Sequence, residues 1–201
     1  IVLEQNIVDY DITYIDLNNP PEWFKEVSPL GQVPVLNIGN DVLFESSVIQ
    51  EYVDEVTPPS LQPADPLVKA KNRAWINFGG DIIMAMHAMM TSKDEAVSKE
   101  KRQVVEQKLQ QLEAQHSGDV FFNGAEFQMI DAAYAPLLMR LSFIKDITAV
   151  DILDDMPKLK KWSEKLMSLD CVKSSVVPEL PMMYKGMVKH MDGYMATQIQ
   201  E

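Results

Sequence analysis

Ser28-Pro29-Leu30-Gly31-Gln32-Val33-Pro34-Val35-Leu36, with Leu43-Phe44-Glu45-Ser46-Ser47-Val48-Ile49 shortly after it, is the stretch on which the reading of this chain turns. Val33-Pro34-Val35-Leu36 and Val42-Leu43-Phe44 are apolar runs on either side of Gly39-Asn40-Asp41, a spacing that predicts a β-hairpin. From Ser46 onward, Val48, Ile49, Tyr52, Val53 and Val56 recur at helical spacing. That predicts a helix capped by Ser46 and stopped by Thr57-Pro58-Pro59. Upstream, Tyr10-Asp11-Ile12-Thr13-Tyr14-Ile15-Asp16 alternates apolar and polar residues and is rich in β-branched and aromatic types. It is predicted as a strand, ended by Asn18-Asn19-Pro20-Pro21.

Past Pro59 the character changes. The proline-punctuated PSLQPADP of residues 59–66 reads as a connection, and everything after it has helical spacing. Helices are predicted near 67–90, 98–116, 129–145, 157–169 and 182–196, and long helices with short connections make a bundle. The chain therefore divides into a small αβ domain over 1–60, a linker over 61–66 and an all-helical domain over 67–201.

Composition narrows the function classes. The 201 residues are 46% hydrophobic and 24% charged, an ordinary globular profile, with a formal net charge of -12. A field of that sign repels phosphate backbones and anionic bilayers, so neither nucleic acid nor a membrane surface is expected as a partner. A small anion needs local backbone donors to overcome it. The single cysteine, Cys171, leaves no internal disulfide, and no apolar run has the length of a membrane span. A cytoplasmic location is expected.

The two quoted motifs together resemble the glutathione site of the glutathione S-transferase superfamily. Residues 15–56 are also similar to the omega class, through Asn19, Pro21-Glu22-Trp23-Phe24 and Glu51-Tyr52 with Asp54-Glu55. Met129-Ile130-Asp131 and Ala135-Pro136 resemble the family's bundle helix. The resemblance implies a thioredoxin-like N-terminal domain followed by a helical bundle, with glutathione as cosubstrate, no metal, and a homodimeric assembly.

The residue chemistry agrees with that ligand. Glutathione has a free amino acid at its γ-glutamyl end and an extended cysteinyl amide. Ser46, at a helix start, offers its hydroxyl and neighbouring N–H groups to the γ-glutamyl carboxylate. Glu45 accepts from the ammonium. Val33, held before Pro34, offers its backbone N–H and C=O to the cysteinyl amide, and the family pattern makes the Val33–Pro34 bond cis. Taken singly, Glu45-Ser46 is an N-cap beside an acid and Val33–Pro34 an ordinary trans bond; only the joint pattern points to glutathione.

For the second substrate the resemblance implies Trp75 and Phe78 on the first bundle helix, and Arg140, which matches a position bordering the electrophile pocket in omega enzymes. An apolar core pair and a solvated helix arginine account for them equally well. Met84-Ala85-Met86-His87-Ala88-Met89-Met90 suits a core, a pocket or a dimer seam. His87, His116 and His190 share no metal spacing. Cys171 follows Leu169-Asp170 near a helix start, where a dipole lowers a thiol pKa. Asp131 is expected to reach back to the N–H of Gln128 as a folding element.

Two departures stand out. Pro20 occupies the position where omega enzymes carry a glutathione-contacting lysine. The family's first strand and its loop with a catalytic Cys, Ser or Tyr precede a helix whose last turn Ile1-Val2-Leu3-Glu4 resembles. The catalytic residue is thus expected upstream of Ile1, a cysteine in the omega pattern, and the first strand is expected between residues 10–16 and 33–36. The function implied is a glutathione transferase or glutathione-dependent thiol transferase acting on small hydrophobic electrophiles, disulfides or oxidants, a detoxification role. The alternative is a non-catalytic regulator of the stringent-starvation type that binds a protein partner such as RNA polymerase.

Overall fold

The computed structural model describes residues 1–28 and 30–200, so Pro29 of the quoted motif lies outside the described residues. The chain folds as two compact units, Ile1–Leu61 and Gln62–Glu201.

The N-terminal unit carries α1 (Val2–Gln5), α2 (Glu22–Val27), β1 (Val35–Ile38), β2 (Asp41–Phe44) and α3 (Ser46–Val56). β1 and β2 form the expected antiparallel hairpin, with Ile38 opposite Asp41 and Val35 opposite Phe44. Its loop is Gly39-Asn40, and Gly39 takes φ +64° at the first loop position, a conformation a residue without Cβ adopts freely. β1 begins at Val35 rather than Val33, because Pro34 has no N–H to place in a ladder. Asn6 ties α1 to the end of α3, its Nδ2 donating to Thr57 Oγ1 at 2.7 Å and to the Thr57 carbonyl oxygen at 3.2 Å. Asp54, buried on α3, accepts from Ser60 Oγ and the Leu61 N–H, each at 2.6 Å.

Residues 10–16 do not form the predicted strand. Alternation describes one face of a strand, but a strand exists only through a ladder, and β1–β2 is the one ladder between strands among the described residues. Ile12 and Tyr14 are exposed there. The expected turn after the segment does form, with Asp16 Oδ1 accepting the Asn18 N–H at 2.9 Å.

The C-terminal unit is helical: α4 (Pro66–Thr91), α5 (Glu95–Gln115), α6 (Met129–Thr148), α7 (Pro157–Ser168), α8 (Asp170–Lys173) and α9 (Leu180–Met191), then a 3₁₀ turn over Tyr194–Gln198. Asp65 opens α4 by accepting the N–H groups of Leu67 and Val68, with Pro66 at the first helical position. α5 starts at Glu95, earlier than predicted, because Asp94 caps it through the Val97 N–H at 3.0 Å. The core is built on α6, where Ile130, Leu138 and Ile144 are fully buried along with Ile82, Leu109, Leu159 and Trp162 of neighbouring helices. Met86, Met89 and Met90 fill that core, whereas Met84 is exposed.

The last helix ends at Met191 rather than near 196. Asp192 turns left-handed at φ 51°, and Gly193 passes so close to α4 that a Cβ there would lie 2.0 Å from the Met90 carbonyl oxygen. The Tyr194 N–H then donates to the Ser92 carbonyl oxygen at 2.7 Å. Among the described residues no helix is long and apolar enough to cross a membrane.

Candidate functional site

The quoted motifs converge on one small pocket of about 80 Å³ inside the N-terminal unit. Val33, Pro34, Glu45 and Ser46 all line it, together with Ser28, Leu30, Gln32 and Phe44.

Its first wall is the loop after α2. Phe24 is buried, and the Ser28 N–H donates to its carbonyl oxygen at 2.8 Å, which fixes the helix exit. Gly31, at φ +63°, turns the chain back so that its N–H reaches the Ser28 carbonyl oxygen at 3.0 Å. The Ser28 hydroxyl then bonds both backbone groups of Gln32 at 2.9 Å each. Val33 follows, half exposed, and its bond to Pro34 is cis, as the family pattern implied.

The second wall is the junction of β2 and α3. Here the reading of Ser46 as the helix cap is corrected. Ser46 is already the first helical residue, and a cap needs extended φ/ψ for its side chain to reach the next free N–H groups. The cap position belongs to Glu45, whose side chain makes no capping bond and whose backbone is held at φ 70°, ψ 113°. For a residue with a Cβ that is a sparsely populated conformation, of the kind that clusters at functional sites. Among the described residues no side chain caps it, so N–H groups of the first turn of α3 are open to an anion.

The residues expected at the second substrate lie in the C-terminal unit. Trp75 and Phe78 are half-buried on α4 and meet edge to face, ring centroids 5.3 Å apart. The Phe78 ring also carries Lys108 Nζ 4.9 Å from its centroid, and the Tyr134 hydroxyl donates to the Trp75 carbonyl oxygen. Arg140 is exposed on α6, donating Nη1–H to the Pro136 carbonyl oxygen at 2.8 Å. It stands near Tyr184 of α9: burial raises that phenol's pKa and the Arg140 charge pulls it back. Cys171 belongs to the four-residue α8, and burial pushes its thiol pKa up, against the dipole effect expected from the sequence. Asp131 is where the sequence placed it, with Oδ2 accepting the Gln128 N–H at 2.8 Å.

Ser28 and Gln32 stand in the quoted motif, but their residue types alone imply no role. Their spacing, a serine four residues before a backbone that must bend sharply, was the available signal.

Two family profiles match this chain: the glutathione S-transferase N-terminal domain over residues 1–56 and the glutathione S-transferase C-terminal domain over residues 95–165. Glutathione S-transferase omega-1 of Mus musculus is 32% identical over 165 residues, 81% of this chain and 68% of that one. A stringent starvation protein A homolog of Coxiella burnetii is 32% identical over 145 residues, 70% of this chain and 68% of that one. In fold, a tau class glutathione S-transferase from mango, Mangifera indica, superposes with a TM-score of 0.82 at 23% identity, over 93% of this chain and 90% of that one. The chain belongs to the glutathione S-transferase family, in an omega-like relationship, and is on that ground a glutathione-dependent transferase.

Proposed function

We propose that the pocket formed by Val33, Pro34, Glu45 and Ser46 holds glutathione, and that the bound thiol attacks small hydrophobic electrophiles or small disulfides and oxidants. The reading is supported most by one observation: these four residues, quoted from two separate motifs, line a single pocket. At its α3 end the free N–H groups and the Ser46 hydroxyl suit a carboxylate, which helix dipoles favour at that terminus. Glu45 beside them suits an ammonium. A carboxylate and an ammonium on one carbon are the γ-glutamyl end of glutathione. At its other end the half-exposed Val33, before the cis bond to Pro34, has backbone N–H and C=O groups that suit a peptide.

Two reactions are open to a thiol held this way. The thiolate displaces a leaving group from an electrophilic carbon, forming a thioether. Alternatively it attacks a disulfide sulfur, forming a mixed disulfide and releasing a thiolate that takes up a proton. Trp75 and Phe78 are proposed as apolar contacts for the second substrate, and Arg140 as its cation. The protein is proposed to act in the cytoplasm, in detoxification, as a homodimer, for which sedimentation at micromolar concentration should give twice the chain mass of 22.8 kDa.

The test is calorimetric titration with glutathione. Binding should fall in the micromolar to millimolar range, about -4 to -8 kcal/mol, and Ser46→Ala should weaken it by about 1–2 kcal/mol. No heat with the wild-type chain overturns the reading. The second reading, a regulator that binds a protein partner such as RNA polymerase, is favoured by the Coxiella relative, and a chain that captures that polymerase yet ignores glutathione would establish it.

A further inference from the structure

One hydroxyl holds the peptide that precedes Val33. Ser28 is 4% exposed and tied to α2 through its N–H bond to Phe24. Its Oγ accepts the Gln32 N–H and donates to the Gln32 carbonyl oxygen, both at 2.9 Å, so a single side chain occupies both polar groups of that residue. The Gln32 carbonyl and the Val33 N–H belong to the same peptide plane. That bond is trans, so the two groups point in opposite directions. Fixing the Gln32 carbonyl on Ser28 therefore fixes the Val33 N–H on the other side, and both Ser28 and Val33 line the pocket.

We propose that Ser28 is a positioning residue for the ligand's cysteinyl carbonyl: through the Gln32–Val33 peptide it aims the Val33 N–H at that acceptor. The inference rests on the pocket being the glutathione site. Among the described residues only the Ser28 hydroxyl bonds the Gln32 carbonyl, and without it the N–H must be oriented anew each time a ligand binds. An oriented donor saves that ordering cost, which then appears as affinity.

The test is a cycle on the full chain, measuring calorimetric affinity for two ligands: glutathione, and an analogue whose Cys–Gly amide is a trans alkene. The analogue keeps length and planarity but lacks the carbonyl acceptor. Wild type should lose about tenfold in affinity on going to the alkene, the equivalent of one hydrogen bond at about 1.4 kcal/mol. Ser28→Ala should bind glutathione about tenfold more weakly and lose little more with the alkene. Thermal melting accompanies each titration, and if the alanine chain does not melt cooperatively, Ser28→Cys, which keeps the size and weakens the acceptor, takes its place. A serine that only supports the loop fold would lower affinity for both ligands equally, leaving the tenfold alkene penalty intact and overturning the proposal. Unchanged glutathione affinity in the variant, or no alkene penalty in wild type, overturns it as well. Failure of wild type to bind glutathione at all is seen separately and removes the reading of the pocket along with the inference.

Discussion

Asp131 and Trp162, thirty-one residues apart in sequence, meet in the core of the C-terminal unit, where the indole Nε1–H donates to Asp131 Oδ1 at 2.7 Å. The same carboxylate accepts the Phe122 N–H at 2.9 Å and the Gln128 N–H at 2.8 Å, so one fully buried side chain joins a loop, the start of α6 and the middle of α7. Removing it takes the acceptor from two buried donors, the Phe122 N–H and the Trp162 indole N–H, and from the half-buried Gln128 N–H. Asp131→Ala should destabilise the unit by about 3 kcal/mol or more, since each orphaned buried donor costs about 1–3 kcal/mol. Urea unfolding followed by Trp fluorescence checks this, and a midpoint within error of wild type would refute it.

The same carboxyl predicts a pH dependence. Burial raises its pKa to about 6 from 3.8, outweighing the hydrogen bonds from Phe122, Gln128, Trp162 and its own backbone that pull it down. The folded state therefore binds more protons than the unfolded one between those values, and stability falls as pH rises across that window. The contribution is complete below about pH 4, gone above about pH 6, and on the order of 3 kcal/mol in all. His116 slopes the other way, because burial lowers its pKa and it must stay neutral in the fold. The Asp131 component is isolated by subtracting the pH profile of Asp131→Asn, whose amide does not titrate. A difference that stays flat from pH 4 to 6 would count against the assignment.

Two glycines make a paired test of packing. At Gly193 an added Cβ meets the Met90 carbonyl oxygen at 2.0 Å and the Ser92 carbonyl oxygen at 3.2 Å, both backbone. At Gly80, inside α4, it meets nothing within 4 Å. Gly193→Ala should destabilise by about 1–3 kcal/mol and speed hydrogen exchange at the Tyr194 amide. Gly80→Ala should stabilise by about 0.5–1 kcal/mol through helix propensity. Thermal melts that rank the two in the opposite order would overturn the packing argument.

These residues also mark what the sequence made legible. Where a signal is local and chemical, the structure follows it: α3 stops before Thr57-Pro58-Pro59, though it starts one residue earlier than a Ser46 cap predicts, and the hairpin turns at Gly39-Asn40. Where a signal needs a partner, it failed: residues 10–16 alternate like a strand but have no ladder among the described residues. α2 is six residues long, too short for its sequence to show a helical period. The end of α9 was misplaced although Asp192-Gly193 is a stop signal, since helical apolar spacing runs past it. Within the site, Val33, Pro34, Glu45 and Ser46 could be quoted from motifs, but the Ser28 brace is visible only once the loop has folded back on itself.

Glu45 couples backbone strain to ligand chemistry, and substitution can separate the two. Its φ of 70° is unfavourable for any residue with a Cβ and costs on the order of 1–3 kcal/mol. Glu45→Gly removes that strain while adding about 0.5–1 kcal/mol of unfolded-state entropy, so the chain should be as stable as wild type or more so. It also removes the carboxylate proposed to accept the γ-glutamyl ammonium, a charged hydrogen bond of about 1.5–3 kcal/mol, so glutathione affinity should fall roughly ten- to a hundredfold. Glu45→Gln keeps the strained backbone and loses only the charge. It should share the affinity loss without the gain in stability. Thermal melts and calorimetric titrations on the two variants separate the effects. Wild-type affinity in both would mean that the ammonium is held elsewhere, and a glycine variant that melts well below wild type would mean that the Glu45 backbone is not the strained element of this site.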